Sequence, residues 1–268
     1  WHGLTIEAWV GEPLAMLYGL TGDQKYLDFL AMIEELLEPL DYPVHAHGYL
    51  STLRGLQTAA LVTGDTNWNT KVEQHRQTII ERQYELPDGC IPECFPASIR
   101  TEGCAIADWM MLNLNAGLIT GDEAAYARAE HVLWNAFAYN QLITGCFGSR
   151  QTTSHGYGVY QIEECVWCCV HNGGLALTEY ARQAVTWRDG AIHVNLLVPG
   201  TYRLGLPDGA EAEISIATTY PADAEAVVTA SHVPPDIDVH VRAPASVRRP
   251  QISEERDGDR VTTQLGGA

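Results

Sequence analysis

Two short motifs hold the residues best suited to chemistry: Glu102-Gly103-Cys104 and, far downstream, the adjacent pair Cys168-Cys169. Three thiols and a carboxylate of this kind can surround one soft metal ion such as zinc. Thiolate is the form that binds zinc, and the bound ion keeps the sulfur deprotonated. A deprotonated, partly exposed sulfur is also a nucleophile. The same four residues can therefore build a site and act in it. The bland readings are a closed structural zinc site, which four protein ligands normally mark, or cysteines packed as small apolar groups. Cys165-Val166-Trp167-Cys168 with Cys90-Ile91-Pro92-Glu93-Cys94 offers a second four-cysteine set at ligand spacing.

Further polar candidates fall in three loop stretches. Residues 39–48 carry His45 and His47, residues 86–103 carry Glu93 and Glu102, and residues 146–169 carry His155, Glu163 and Glu164 with the paired cysteines. A carboxyl kept in an apolar pocket has a raised pKa and suits general acid work. Phe95 and Trp167 offer such walls, and Glu85, Glu93 and Glu164 are candidate acids. The histidines can bond to a ligand's hydroxyls without ionising, or simply to nearby backbone. Trp1, Trp9, Trp109 and Tyr157 can stack on a flat ligand face or fill a core. Asp108 lies one turn beyond Cys104 and projects into the same region if residues 104–116 are helical.

The elements that must position these residues announce themselves by a repeat. Leu20-Thr21-Gly22-Asp23 is echoed by Val62-Thr63-Gly64-Asp65 and Ile119-Thr120-Gly121-Asp122, each between two helical patterns. Glycine supplies the left-handed position that ends one helix, and aspartate caps the amino end of the next. Leu27, Leu30 and Ile33, and then Val72, His75 and Ile79, recur at helical spacing. Helical hairpins with unequal loops suit a toroid rather than a regular solenoid. Near residue 188 the pattern changes. After the Arg188-Asp189-Gly190 turn, residues 192–198 read as a strand, and residues 211–216 and 236–241 alternate. The predicted organisation is a helical domain over 1–188 and the start of a β-sandwich over 189–268.

Composition narrows the partners. The 268 residues carry 34 acidic against 16 basic side chains, a formal charge of −18. Such a surface repels phosphate backbones, which argues against nucleic acid and suits a neutral substrate such as a sugar. No apolar run reaches the roughly 18 residues of a membrane helix. Seven cysteines, an odd number spread along the chain, do not read as a disulfide framework. Thiols kept for metal or catalysis in a reducing, cytoplasmic compartment are the expectation. The chain opens at Trp1 inside a helical pattern, so it reads as a fragment of a longer protein.

Placed on this frame, the Glu-Gly-Cys and Cys-Cys motifs resemble the β-L-arabinofuranosidases of glycoside hydrolase family 127 and their relatives. Ala125-Tyr126-Ala127-Arg128-Ala129-Glu130 through Leu133-Trp134-Asn135-Ala136 is similar to that family's helix after its Glu-x-Cys motif. Cys168-Cys169-Val170-His171-Asn172 is similar to its Cys-Cys-Pro-x-Asn, with Val170 in place of the proline. Ile192-His193-Val194-Asn195-Leu196 and Ala217-Thr218-Thr219-Tyr220-Pro221 look like its opening sandwich strands. The resemblance runs across most of residues 1–245. It implies a mainly α chain, an (α/α)6-type helical toroid followed by a partial β-sandwich, and a retaining glycosidase acting on an arabinose-containing glycan. Carried over by motif, Cys168 is the nucleophile, Glu102, Cys104, Cys168 and Cys169 hold zinc, and Glu93 is the acid/base. His47 matches the substrate-contacting histidine; His45 and His155 join it as expected substrate contacts on their own loop positions. Glu93 stands closer to Glu102 than is usual in the family, and Gly173-Gly174 occupies a stretch that generally carries an arginine there. The reading from another class is a non-catalytic carbohydrate-binding or scaffold protein, in which zinc merely ties residues 102–104 to residues 168–169.

Overall fold

The computed structural model describes residues 8–37, 40, 43–96, 98–153, 156–157 and 164–267, of which 8, 150–153, 156–157 and 164 are described by backbone alone. The chain divides into two compact units, Trp1–Leu177 and Thr178–Ala268.

The first unit is mainly helical. After a short 3-10 turn at Ala8–Val10 come α1 (Gly11–Thr21) and α2 (Lys25–Leu36), then the two-residue strand β1 (Val44–His45). Next are α3 (Ala46–Thr63) and α4 (Asn67–Glu81), the short strands β2 (Cys94–Phe95) and β3 (Arg100–Glu102), and α5 (Gly103–Thr120). Then follow α6 (Glu123–Val132), extended by a π-helical turn over Leu133–Phe137, and the strands β4 (Gly148–Thr153), β5 (Gly156–Tyr157) and β6 (Glu164–Cys165). The helix α7 (Trp167–Arg182) starts in this unit.

The three Thr-Gly-Asp turns are built alike. Thr21, Thr63 and Thr120 return their hydroxyls to the carbonyls of Leu17, Ala59 and Ala116 at 2.6, 2.6 and 2.7 Å. Gly22, Gly64 and Gly121 follow at φ of 69, 71 and 76°, where a Cβ is costly. Asp23, Asp65 and Asp122 then accept the backbone N–H two residues on, at 3.2, 3.0 and 2.9 Å. Each turn ends one helix and opens its return partner, as the repeat predicts.

Between these turns the helices differ in burial. α5 is buried without a break from Gly103 to Gly117, and α3 over most of Ala46–Ala60. The return helices α2 and α4 bury one face each: Leu27, Leu30 and Ile33 on α2; Val72, His75, Arg76 and Ile79 on α4. α1, α3 and α5 lie side by side and run the same way. Glu12 meets Arg54 across α1 and α3, where a Cβ on Gly19 would stand 3.4 Å from Val62 Cγ1, while His47 meets Asp108 and Gln57 meets Leu112 across α3 and α5. Parallel packing puts their amino ends at one end of the unit. It also demands a close approach, because a Cβ on Gly55 would stand 2.7 Å from the Gly11 carbonyl carbon.

The second unit is β. Strand structure begins at β7 (Val185–Arg188), ahead of the Asp189-Gly190 turn, in residues that read as helical from sequence. Val185, Thr186 and Trp187 are β-formers directly before a hairpin turn, which accounts for the difference. β8 (Ala191–Val194) pairs with β7 on one side and in parallel with β12 (Val239–Val241) on the other. A five-stranded antiparallel sheet has the order β13 (Gln251–Asp257), β14 (Arg260–Gly266), β11 (Ala226–Ser231), β10 (Glu211–Thr218), β9 (Gly200–Gly205). Ala212, Ile214 and Ile216 alternate inward along β10 and join Val185, Ile192, Val194 and Val239 in one apolar core. The outermost strand β13 is exposed throughout and carries Glu254, Glu255, Arg256 and Asp257, charges that discourage pairing with another chain. No described helix is long and apolar enough to cross a membrane.

The two kinds of glycine should separate in a urea titration. Gly64→Ala strains only a left-handed turn with open space around it, and is expected to cost about 1 kcal/mol. Gly55→Ala forces α1 and α3 apart, and is expected to cost about 2–3 kcal/mol. Equal midpoint shifts would contradict the close parallel packing.

Candidate functional site

Short strands deliver the candidate residues to helix starts. β1 pairs with β2, placing His45 opposite Cys94, and α3 begins at the next residue. β3 pairs with β4, placing Glu102 opposite Ser149, and α5 begins directly after it. β6 pairs with β4, placing Cys165 opposite Gly148, and α7 begins two residues on. The Glu93 segment is tied into the same frame by Ala46 N–H to Glu93 C=O and Glu93 N–H to Arg100 C=O, both 2.8 Å. His45 and Glu102 are thus the residues just before α3 and α5. His47, Cys104, Cys168 and Cys169 stand in the first turns of α3, α5 and α7. Histidines that read as loop residues are placed on a helix start because Val44–His45 is extended only as far as its pairing with Cys94–Phe95.

The glycine inside Glu-Gly-Cys has a steric cause. A Cβ on Gly103 would come within 2.5 Å of Asn140 Oδ1 and 3.2 Å of Cys169 Cβ. Asn140 is not free to yield, since its amide bonds Gly148 at both N–H (3.2 Å) and C=O (2.9 Å). Only glycine lets the starts of α5 and α7 come together.

Once together, they bring three sulfurs and a carboxylate to one place. Cys104 Sγ lies 4.0 Å from Cys168 Sγ, 3.7 Å from Cys169 Sγ and 3.6 Å from Glu102 Oε2. Donors bound to one tetrahedral zinc at about 2.0–2.3 Å stand roughly 3.3–4 Å apart, so the spacing suits such an ion. The chemistry of the donors agrees. The neighbouring thiols of Cys168 and Cys169, together with burial, drive the Cys104 pKa far above its ordinary value. The Cys104 thiol in turn holds Cys168 down to about 6, against burial and the Glu102 charge. Three sulfurs this close do not all ionise unaided, and a divalent cation among them is what would allow it. Cys104 and Cys169 are buried, whereas Cys168 is partly exposed.

A second grouping adjoins the first through Glu102. His45, Glu93 and Glu102 place one donor atom each within 4.8 Å of one another. His45 Nε2 is 2.9 Å from Glu102 Oε2. Burial works against the Glu102 carboxylate, but this bond, with help from Cys104 and His47, keeps its pKa below the usual value. The Glu93 side chain is 20% exposed and lies 3.9 Å from the Arg100 guanidinium, so it is not a freely solvated loop acid. His47 Nδ1 is 2.5 Å from Asp108 Oδ2, and the Trp9 ring lies 5.2 Å from the His47 ring. Burial disfavours a charged His47, but the Asp108 carboxylate, then Cys168 and Glu102, raise its pKa on balance.

Of the residues singled out from sequence, the structure gathers Cys104, Cys168, Cys169, Glu102, Glu93, His45 and His47, directly or through a shared neighbour. His155 lies outside the described residues, as do Trp1 and Glu163. The rival four-cysteine set is not assembled: Cys90 is buried against the Ile91 carbonyl, and Cys165 is exposed with Cys146 as its thiol neighbour. Glu85 is bound elsewhere, to the Trp109 indole and to Arg128, which also marks Trp109 as core. Trp167 is 79% exposed and walls nothing in, while Phe95 is buried. Sequence reasoning passed over Arg54, whose guanidinium joins Asp108 at 2.6 Å to Glu12 at 2.5 Å. Its signal was an arginine in the middle of an otherwise uncharged helix.

The fold has known counterparts. A family-127 β-arabinofuranosidase superposes with a TM-score of 0.75 at 17% identity over 97% of this chain and 51% of its own. The family-127 β-L-arabinofuranosidase of Geobacillus stearothermophilus T6 gives 0.74 at 15% identity, over 97% and 53%. A further glycoside hydrolase gives 0.72 at 15% identity, over 95% and 54%. The chain therefore resembles family 127 in fold and spans about half the length of these proteins. No family model and no curated protein matches its sequence.

The sulfur cluster makes a pH prediction. A lowered pKa means that Cys168 stays thiolate above about pH 6 and is protonated below it. In metal-free protein, iodoacetamide labelling of the Cys168 peptide should rise with a midpoint near pH 6. Cys104→Ala removes the main cause and should move that midpoint toward the ordinary thiol range of about 8.5. A wild-type midpoint already in that range would contradict the geometry.

Proposed function

We propose that this chain carries the catalytic unit of a retaining glycoside hydrolase for β-L-arabinofuranosidic bonds, with Cys168 as nucleophile and Glu93 as general acid/base. The observation that carries the reading is the contrast within the thiol cluster. Cys168 alone of the three is partly exposed, and its pKa is lowered to about 6 by Cys104. A closed structural site has no use for one open, ionised sulfur. The fold likeness to family-127 enzymes supports the reaction class, and the arabinose assignment rests on that likeness and on the motifs.

In the proposed reaction, Cys168 Sγ attacks the anomeric carbon while Glu93 gives its proton to the departing glycosidic oxygen. The product of this step is a thioglycoside on Cys168. Glu93, now a carboxylate, takes a proton from water as that water attacks the same carbon, and Cys168 leaves as thiolate. Two displacements return the starting configuration. Zinc held by Glu102, Cys104, Cys168 and Cys169 would supply the positive charge that keeps these sulfurs ionised and eases departure of Cys168. His45 holds Glu102 in place. His47 and His155 are the proposed contacts to sugar hydroxyls, with Trp9 beside His47 as an apolar face.

The same reading takes the parallel helices as an arc of an (α/α)6-type toroid and the two sheets as a partial β-sandwich. The net charge of −18 supports a neutral carbohydrate partner rather than nucleic acid. All seven cysteines are free thiols, which supports a reducing, cytoplasmic setting.

Hydrolysis of 4-nitrophenyl β-L-arabinofuranoside tests the proposal. Cys168→Ser should lower kcat by about a thousandfold or more, and Glu93→Gln by about a hundredfold. Chelation should abolish turnover, and zinc should restore it. Unchanged turnover in folded Cys168→Ser, or an inactive wild type with zinc bound, would overturn it.

A further inference from the structure

A line of buried charge runs from the surface of α1 to the cluster. Glu12, a third exposed, meets Arg54 Nη2 at 2.5 Å. Arg54 Nη1 meets Asp108 Oδ1 at 2.6 Å, and Asp108 Oδ2 meets His47 Nδ1 at 2.5 Å. Asp108 is fully buried and Arg54 nearly so. Ser51, one turn beyond His47 on α3, also donates to Asp108 Oδ2, at 3.2 Å. Burying such an ion pair costs heavily in desolvation, and apolar residues of like size often serve stability as well. The pair therefore calls for a role beyond stability.

We infer that Asp108 is the positioning residue for His47: locked by Arg54 and Ser51, it holds the imidazole with Nδ1–H turned inward and Nε2 as the nitrogen open to the site. The geometry leaves the ring little choice. A carboxylate can only accept, so the nitrogen facing Asp108 must carry the proton. Both Asp108 oxygens are engaged from different directions, Oδ1 by Arg54 and Oδ2 by Ser51 and His47, so the carboxylate cannot swing to follow the ring. Trp9 lies against the ring as well. Nε2 is thereby the atom left to meet a ligand group, in the same way that partners beyond a metal or catalytic histidine fix its tautomer. This rests on the reading of His47 as a sugar contact, but its test does not.

The test is the long-range 1H–15N spectrum of the uniformly 15N-labelled protein at alkaline pH, with His47 assigned by its loss in His47→Gln. The wild type should show one tautomer, protonated at Nδ1. A wild-type His47 protonated at Nε2, or an even mixture, would overturn the inference, whether or not Asp108→Asn folds. In Asp108→Asn, with far-UV circular dichroism unchanged, the preference should fall at least about tenfold, since a charge-assisted bond contributes about 1.5–3 kcal/mol. An unchanged tautomer ratio there would also overturn it. Activity separates this idea from the hydrolase reading. An inactive wild type with the Nδ1–H form sinks the reaction and leaves the positioning role, and an active one with the Nε2–H form does the reverse. If both hold, Asp108→Asn should lower kcat/KM on 4-nitrophenyl β-L-arabinofuranoside while zinc content stays the same.

Discussion

Three helix amino ends, those of α3, α5 and α7, meet around one set of side chains, and much of the first unit follows from that requirement. The opening N–H groups of a helix have no partner within it, and they carry the positive end of the peptide dipoles. A first turn is therefore a favourable place for thiolate and carboxylate, and here two first turns share three sulfurs while Glu102 sits directly before one of them. To aim the amino ends together, α3 and α5 run parallel, so each needs a returning helix and a tight turn at its far end. The Thr-Gly-Asp turns supply that. Gly103 is the local counterpart of the same demand, because any side chain there would hold α5 away from Cys169 and Asn140.

Aiming helices in this way leaves their central faces wholly inside the protein, and polar groups placed there must be satisfied from within. The Glu12–Arg54–Asp108–His47 line does so by pairing each charge with the next. It also ties α1, α3 and α5 to one another beneath the site, so the residues that stabilise the helix packing are those that orient His47. The open edge of the arrangement is Cys168, the sulfur with access to the outside.

Much of this was legible in the sequence, and the parts that were not share a cause. The Thr-Gly-Asp turns are written in local backbone chemistry, and each was readable from four residues. The Glu-Gly-Cys and Cys-Cys motifs named the sulfur cluster because soft ligands have few other uses in such a pattern. The helical spacing of Leu27, Leu30 and Ile33 gave α2 for the same local reason. Arg54 escaped notice because its partners, Glu12 and Asp108, are far away in sequence, and no local pattern links an arginine on one helix to acids on two others. His45 and His47 read from sequence as loop residues and not as the start of a helix, since that boundary is set by pairing with Cys94–Phe95. β7 was missed because its four residues continue a helical stretch until the hairpin turn reveals them.

If Glu102, Cys104, Cys168 and Cys169 form one donor set, X-ray absorption at the zinc edge of the purified protein should show one tightly bound zinc with three sulfurs at about 2.3 Å and one oxygen at about 2.0 Å, the sulfur count falling to two in Cys104→Ser. A shell of only nitrogen and oxygen, or four sulfurs, would contradict it.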